Sequence, residues 1–252
     1  MAEEKNKTPF KEFAKQTYLD AGRAMLLQND IYQPYLEKQK PFRFGCGTLA
    51  LLLLPAALAM GIGVALNLAT LPRADLIQEQ IQSLLSQSAI YQSLAAQYPT
   101  MEGIVNLFYS VAWMFIRVSG IYPYPASILL TPLSFIMGVL FAWWLYTVLL
   151  QMVAGWLGGK AKKGALYGPM VFAFAPQLLN VLTIMPAFAV PIQLVTAWTI
   201  AISYQILRAV YGFSWARTVM TLLLTLLLHL VLIALSVLFG VLIGVAVAGA
   251  MA

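Results

Sequence analysis

The chain has 252 residues, 61% hydrophobic and 10% charged, with a formal net charge of +6 and a mean hydropathy of +0.81. A water-soluble domain carries about 25% charged residues, so one large water-soluble core is excluded and lipid is the solvent for most of the chain. All nine acidic residues precede Gly103, which removes carboxylate chemistry from everything after it.

Residues 1–43 are polar and lack the early apolar core of a cleavable signal peptide, so the first span is expected to act as its own insertion signal. Residues 1–8 are expected to be disordered. Thr8 and Pro9 then read as an N-cap and a first-turn proline. Phe10, Phe13, Ala14, Thr17, Tyr18, Ala21 and Met25 follow at spacings of three and four and share one helical face, with Lys11, Lys15 and Arg23 off it. Such an amphipathic helix either lies in the headgroup layer, its lysines meeting anionic lipid, or packs on the protein's own loops. Pro34 and Pro41 break residues 29–43 into an expected linker. The single cysteine, Cys46, permits no internal disulfide. It reads as a small packing residue at the mouth of the first span, with palmitoylation the alternative.

Five apolar stretches follow, at about 46–71, 127–156, 166–186, 190–208 and 219–249. Each is long enough to cross roughly 30 Å of hydrocarbon at about 1.5 Å per residue. The second and fifth exceed that need and are expected to tilt or protrude. The third and fourth are separated by a short segment with Pro186 and Pro191, which predicts a tight helical hairpin. Between the first two lies a loop of about 72–126. Within it, residues 76–95 are amphipathic, and 104–118 are apolar but short for a span, so both are expected to cap the outer face.

Basic residues set the orientation. Thirteen of the fifteen fall on one side of a five-span topology: eight before residue 44, then Lys160, Lys162, Lys163, Arg208 and Arg217. Only Arg73 and Arg117 fall on the other. This places the N-terminus in the cytoplasm and the C-terminus outside, and argues against a sixth span at 104–118. The fold class is therefore an all-α polytopic membrane bundle, with a cytoplasmic segment at 1–43 and a membrane domain at 44–252.

The candidate chemistry is sparse. His229 is the one ionisable side chain deep in a span. With no second histidine and no carboxylate after Glu102, it reads as a neutral hydrogen-bonding group. Pro176 frees a backbone carbonyl in the third span, and Gln177 and Asn180 can satisfy it or bond across helices. Gln177, Asn180 and His229 form the candidate polar intramembrane cluster. Gly212-Phe213-Ser214 has the Gly-x-Ser form of intramembrane serine proteases. Ser214 and His229 would be about 22 Å apart on one helix, however, against about 3 Å for a nucleophile and its base. Gly158-Gly159-Lys160-Ala161-Lys162-Lys163-Gly164 lacks the phosphate-loop pattern. It reads as a glycine-ended helix followed by Lys160, Lys162 and Lys163, an anchor for anionic headgroups. Gly240, Gly244 and Ala248 form a small-residue stripe for close helix packing.

Several of these features together resemble the Yip (Ypt-interacting protein) domain family over roughly residues 44–249. They are the long first loop, Trp156-Leu157-Gly158-Gly159-Lys160, Tyr167, the mid-span Pro176-Gln177, the run Gln205-Ile206-Leu207-Arg208-Ala209-Val210-Tyr211-Gly212-Phe213-Ser214, and Arg217 before a long last span. The resemblance implies five helices, a cytoplasmic N-terminus and no enzyme activity. Eukaryotic relatives bind Rab-type GTPases and carry Asp-Leu-Tyr-Gly-Pro before the first span. Residues 1–43 have no such motif, so the resemblance carries the fold and a role in membrane organisation. The expected function is non-enzymatic, through a membrane-protein partner or a homo-oligomer. The alternatives are an accessory subunit of a larger respiratory or photosynthetic membrane complex, or a neutral-solute channel or transporter. No cofactor, metal or nucleic-acid partner is expected.

Overall fold

The computed structural model describes residues 10–36, 40–70, 74–98, 101–119, 125–162, 164–185 and 188–251; the side chains of 241–251 and of a few other helical residues lie outside that description. Nine α-helices and one 3-10 helix make up the described structure, with no strand among the described residues. The α-helices are α1 (Phe10–Met25), α2 (Gln33–Leu36), α3 (Pro41–Thr70), α4 (Ala74–Gln87), α5 (Ala89–Gln97), α6 (Met101–Ser119), α7 (Ser127–Trp156), α8 (Ile192–Tyr211) and α9 (Trp215–Met251). The 3-10 helix runs Pro169–Ile184. Three helices are long and apolar enough to cross a membrane: α3, α7 and, over its described side chains, Trp215–Gly240 of α9. The chain is thus an all-helical membrane protein.

It divides into two compact units. The first is Met1–Leu52, Gly138–Gln177 and Pro191–Ala252; the second is Leu53–Met137 and Leu178–Val190.

At the centre of the first unit is the start of the 3-10 helix, where all eight residues from Pro169 to Pro176 are buried. An α-helix was expected over 166–186. Pro176 opposes one, because its ring clashes with the carbonyl four residues back and it supplies no N–H. Around this centre, Trp143 is 1% exposed and packs with Phe42 and Tyr167, ring centroids 5.3–5.7 Å apart. Gly45 lets α3 approach them; a Cβ there would lie 2.6 Å from both the Trp143 ring and the Tyr167 carbonyl.

Part of the predicted apolar face of the N-terminal helix is packed on protein: Thr17 and Ala21 are buried and Phe13 meets Phe44 of α3 ring to ring, while Phe10 is 72% exposed. Asp20 and Ala24, off that face, are buried too. Farther along both helices, the Tyr18 hydroxyl donates to the Leu51 carbonyl. That carbonyl sits four residues before Pro55, which has no N–H for it, so Tyr18 supplies the missing donor. The two contacts make α1 run parallel to α3. Along its exposed edge, Lys11, Glu12 and Lys15 give way to Leu19 and Leu26. α1 ends in a six-residue hydrogen-bonded turn, Gln28 to Arg23 and Leu27 to Ala24, with Leu27 at φ 58° where glycine is usual. The Trp198 indole of α8 donates to the otherwise free Met25 carbonyl at 2.9 Å.

The expected linker over 29–43 is corrected in two respects. Ile31, Tyr32 and Tyr35 are buried, and α3 begins at Pro41, whose fixed φ suits a first helical turn. The Tyr35 hydroxyl donates to buried Asp20 at 2.6 Å, and the Gln16 amide donates to the other carboxylate oxygen at 2.9 Å. Burial, and secondarily the Asp20 hydrogen bond, pushes the Tyr35 phenol up; burial alone raises Tyr32 and Tyr18.

The end of α7 follows the glycine reading. Gly158, at φ 84°, donates to Gly155 and Gly159 donates to Ala154, closing the helix C-terminus. α8 ends the same way at Gly212, φ 62°, which donates to Arg208.

In the second unit, Gly61 lies against the Ile128 carbonyl and Pro132 of α7, and Gly63 against the Thr183 carbonyl. The expected outer loop holds α4, α5 and α6. Tyr109 of α6 donates to the Gln78 carbonyl of α4 and stacks on Trp113. Ile104, Leu107, Phe108, Val111 and Met114 leave an exposed apolar stripe along α6.

Candidate functional site

Four elements of the first unit border a partly open cavity of about 230 Å³. α7 contributes Ala142 and Tyr146, the 3-10 helix Phe174 and Gln177, α8 Ile192 through Ile200, and α9 Leu226 and His229. The helical periods explain the convergence. Ala142 and Tyr146 are one turn apart, as are Ile192, Val195, Thr196, Thr199 and Ile200, so each helix turns one stripe inward.

One polar atom of these residues, His229 Nδ1, is buried without a hydrogen-bond partner. The Ser203 hydroxyl donates to the Thr199 carbonyl at 2.7 Å, which leaves its oxygen to accept from the Tyr146 hydroxyl beside it. Gln177, Thr196 and Thr199 add polar groups to the lining, and the remaining wall residues are apolar. Below the cavity on α9, Thr218, Thr221 and Thr225 are buried and satisfied, each donating to the carbonyl four residues back at 2.7–3.0 Å.

Of the three residues expected to cluster, Gln177 and His229 line this cavity. Asn180 belongs to the second unit and is not part of the lining. Tyr146, Thr196 and Thr199 were not expected. Their only signal in the sequence is a hydroxyl within a long apolar run, which interfacial aromatics and helix-packing threonines share.

The other singled-out residues stand apart from it. Lys160 and Lys162 are exposed beyond the end of α7, while Lys163 lies outside the described residues. A Cβ at Gly240 would meet nothing within 4 Å, so that part of the stripe packs on no described neighbour. The side chains at Gly244 and Ala248 lie outside the described residues, though the α9 backbone continues past both. Ser214 immediately precedes α9 and His229 sits fifteen positions on, about 22 Å along one unbroken helix. Among the described residues no group of three or more His, Cys, Asp or Glu could hold a metal ion.

No protein-family model matches the chain, and neither a curated protein nor a solved structure matches it.

Proposed function

We propose that the chain is a non-enzymatic, Yip-like protein of the cytoplasmic membrane that organises membrane through a protein partner or a second copy held against α9. The carrying observation is the length and bareness of that helix. α9 has 37 residues, about 55 Å, and from Leu230 to Gly240 every residue is exposed. A hydrocarbon layer of about 30 Å, crossed at the steepest common tilt of about 40°, takes up about 26 residues. Counted from Arg217, the remaining apolar turns begin near Gly244, on the small-residue stripe. Apolar helix surface standing beyond lipid needs a covering surface.

Five spans are the topology we propose. The 20 residues of α8 reach about 30 Å. The 16 residues of the 3-10 helix, at about 2.0 Å each, reach about 32 Å, although an α-helix of that length would fall short. Orientation does not hang on the count. If this pair crosses, or if it turns back together, α9 still runs outward from a cytoplasmic Arg217. Exposed Trp156 and Trp215, beside Lys160, Lys162 and Arg217, suit a cytoplasmic aromatic and basic belt touching anionic headgroups. α1, parallel to α3, then dips into the inner leaflet, which suits the passage of its edge from lysine to leucine.

Topology is tested with single cysteines in a Cys46→Ser background. In intact cells, an impermeant maleimide is expected to label Ser93→Cys and to leave Lys162→Cys unlabelled until the membrane is opened. The reverse pattern would overturn the orientation. The partner is tested by placing a photo-crosslinking benzophenone at Val245 or Val247 in native membranes. Discrete protein adducts of one or two masses are expected, and absent from a control at buried Thr221. Lipid adducts alone at both positions would remove the partner role.

The cavity favours a second reading, binding of a neutral solute, since no Asp, Glu, Lys or Arg lines it.

A further inference from the structure

We infer that a second cavity, at the C-terminal end of α8 and bounded by Asn29, Gln205 and Arg208, seats the phosphodiester of one anionic phospholipid of the inner leaflet. The inference rests on the orientation proposed above and not on the α9 partner.

The walls come from two parts of the first unit. Gln205, Arg208, Ala209 and Gly212 recur three and four apart, so they form one stripe along α8 and its cap. Asn29, from the segment after α1, meets them across the cavity, and Phe213 completes the lining. On the other side of α8, Ile202, Ser203, Ile206 and Leu207 are buried, and the core so holds the stripe in place. The cavity is open and measures about 300 Å³, at the lower end of the range for small-ligand sites.

Charge decides the sign of the occupant. Arg208 is exposed, and no Asp or Glu lines the cavity. Among the described residues no carboxylate pairs with Arg208; the ion pairs join Arg23 to Asp20 and to Asp30. Arg23 also donates to the Gln28 amide at 2.8 Å. It therefore engages the residues on both sides of Asn29, and the carboxylate nearest in sequence, Asp30, is committed to it. The groups left to the cavity are two side-chain amides and one guanidinium, which lies over the Tyr204 ring at 5.9 Å. A guanidinium presents paired N–H donors that match two oxygens of a phosphate, and the amides add further donors. An ammonium headgroup finds no carboxylate here.

The surroundings decide whether the phosphate belongs to a lipid. Leu26, 74% exposed, and Leu27 lie in the turn just before Asn29. The Met25 carbonyl beside them is held by Trp198, ten residues before Arg208 and about 15 Å along α8. α1 thus ends on the bilayer side of the cavity, and its exposed leucines stand where acyl chains run from a headgroup seated on Arg208. Exposed Trp215, three residues after Gly212, marks the headgroup level. A second cation is set at the same end. Phe213 stacks on Tyr211, and Gly159 lies so close to the Tyr211 ring that an added Cβ would be 2.7 Å from it, next to exposed Lys160.

The test titrates the full chain in a maltoside detergent with dioleoyl phosphatidylglycerol, and native mass spectrometry counts the lipids retained. One saturable lipid per chain is expected, with dioleoyl phosphatidylcholine retained far less. Arg208→Gln should weaken that first lipid by about tenfold or more, the equivalent of a lost charge-assisted hydrogen bond. Arg208→Lys keeps the charge but not the fork and should fall between. Ala209→Leu keeps the net charge and fills the cavity, so it separates a seated lipid from attraction to a basic surface; it should weaken binding as much as Arg208→Gln. Circular dichroism and melting temperature check that each variant remains folded. sn-Glycerol 3-phosphate in large excess should not displace the lipid. Equal retention of the two lipids, or a first lipid unaffected by Arg208→Gln or by Ala209→Leu, would overturn the site. Displacement by glycerol phosphate would overturn the lipid in favour of phosphate from solution. Detergent micelles have no sides, so lipid retention together with a reversed maleimide pattern would keep the site and overturn only its leaflet.

Discussion

Gly45→Ala is expected to destabilise the protein by about 1–3 kcal/mol, the usual cost of forcing a methyl group into a packed core, and Gly45→Val to prevent folding. Two residues away on the same helix, Gly47→Ala is expected to be neutral or to stabilise by up to about 1 kcal/mol, the helix-propensity difference between the two residues. The contrast is geometric. At Gly45 an added Cβ lies 2.6 Å from the Trp143 ring and from the Tyr167 carbonyl, and 3.0 Å from a second Trp143 atom. The carbonyl is backbone, and Trp143 is held on two sides by Phe42 and Tyr167. Neither can step aside without moving α3 from α7. At Gly47 nothing lies within 4 Å. Both substitutions have the same effect on the unfolded chain, so their difference reports native packing alone. The fraction surviving as a monodisperse peak after a heating series in detergent measures it. Equal shifts for the two alanine variants would mean that α3 does not pack on Trp143.

The pair also shows which features are legible in a membrane sequence. The extent of α7, Ser127–Trp156, coincides with the apolar run, because its C-terminus is written in Gly158 and Gly159 and needs no tertiary information. Gly212 separates α8 from α9 for the same reason. What is not written is which side of an apolar helix meets lipid and which meets protein, since both surfaces take the same side chains. The seven-residue face of α1 was visible as a face, yet its partner was not; the Phe13–Phe44 contact and the Tyr18–Leu51 bond reveal α3 as that partner. Ile31, Tyr32 and Tyr35 flank Pro34 and read as linker, but the hydrophobic effect buries them wherever the chain passes a core. In the candidate site, His229 and Gln177 stood out because amides and imidazoles are rare in spans. Tyr146 did not, because an aromatic in a span is ordinary until its hydroxyl is seen to be enclosed. The 3-10 form of Pro169–Ile184 had only Pro176 to announce it, and one proline ordinarily kinks an α-helix without replacing it.

The second large effect is expected at Asp20, which is 5% exposed and accepts from Tyr35 and Gln16, with Arg23 at 3.7 Å. Asp20→Ala is expected to cost about 3 kcal/mol, because hydrogen bonds to a charged group contribute about 1.5–3 kcal/mol each and the Tyr35 hydroxyl would be left buried and unpaired. Tyr35→Phe removes one donor and is expected to cost about 2 kcal/mol. The double variant should cost less than the sum by about 1 kcal/mol, since each single change already breaks the shared bond. Arg23 contributes little to the difference. It also pairs with Asp30, whose side chain is 69% exposed. A pair so open to water is worth about 0–1 kcal/mol. The same geometry sets a pH dependence. The folded Tyr35 phenol titrates above its ordinary value of 10.0, held up by burial and by Asp20. Between the two values the unfolded chain has released the proton and the folded chain still holds it, so the stability from this group is complete below about pH 10 and declines as pH rises above it. Tyr32, raised by burial, adds to the decline in the same segment. Melting temperatures measured from pH 8 to 11 should fall above about pH 10, and fall less steeply in Tyr35→Phe. An identical slope in the two proteins would mean that Tyr35 is not enclosed against Asp20, and α1 would lose its polar anchor to α2.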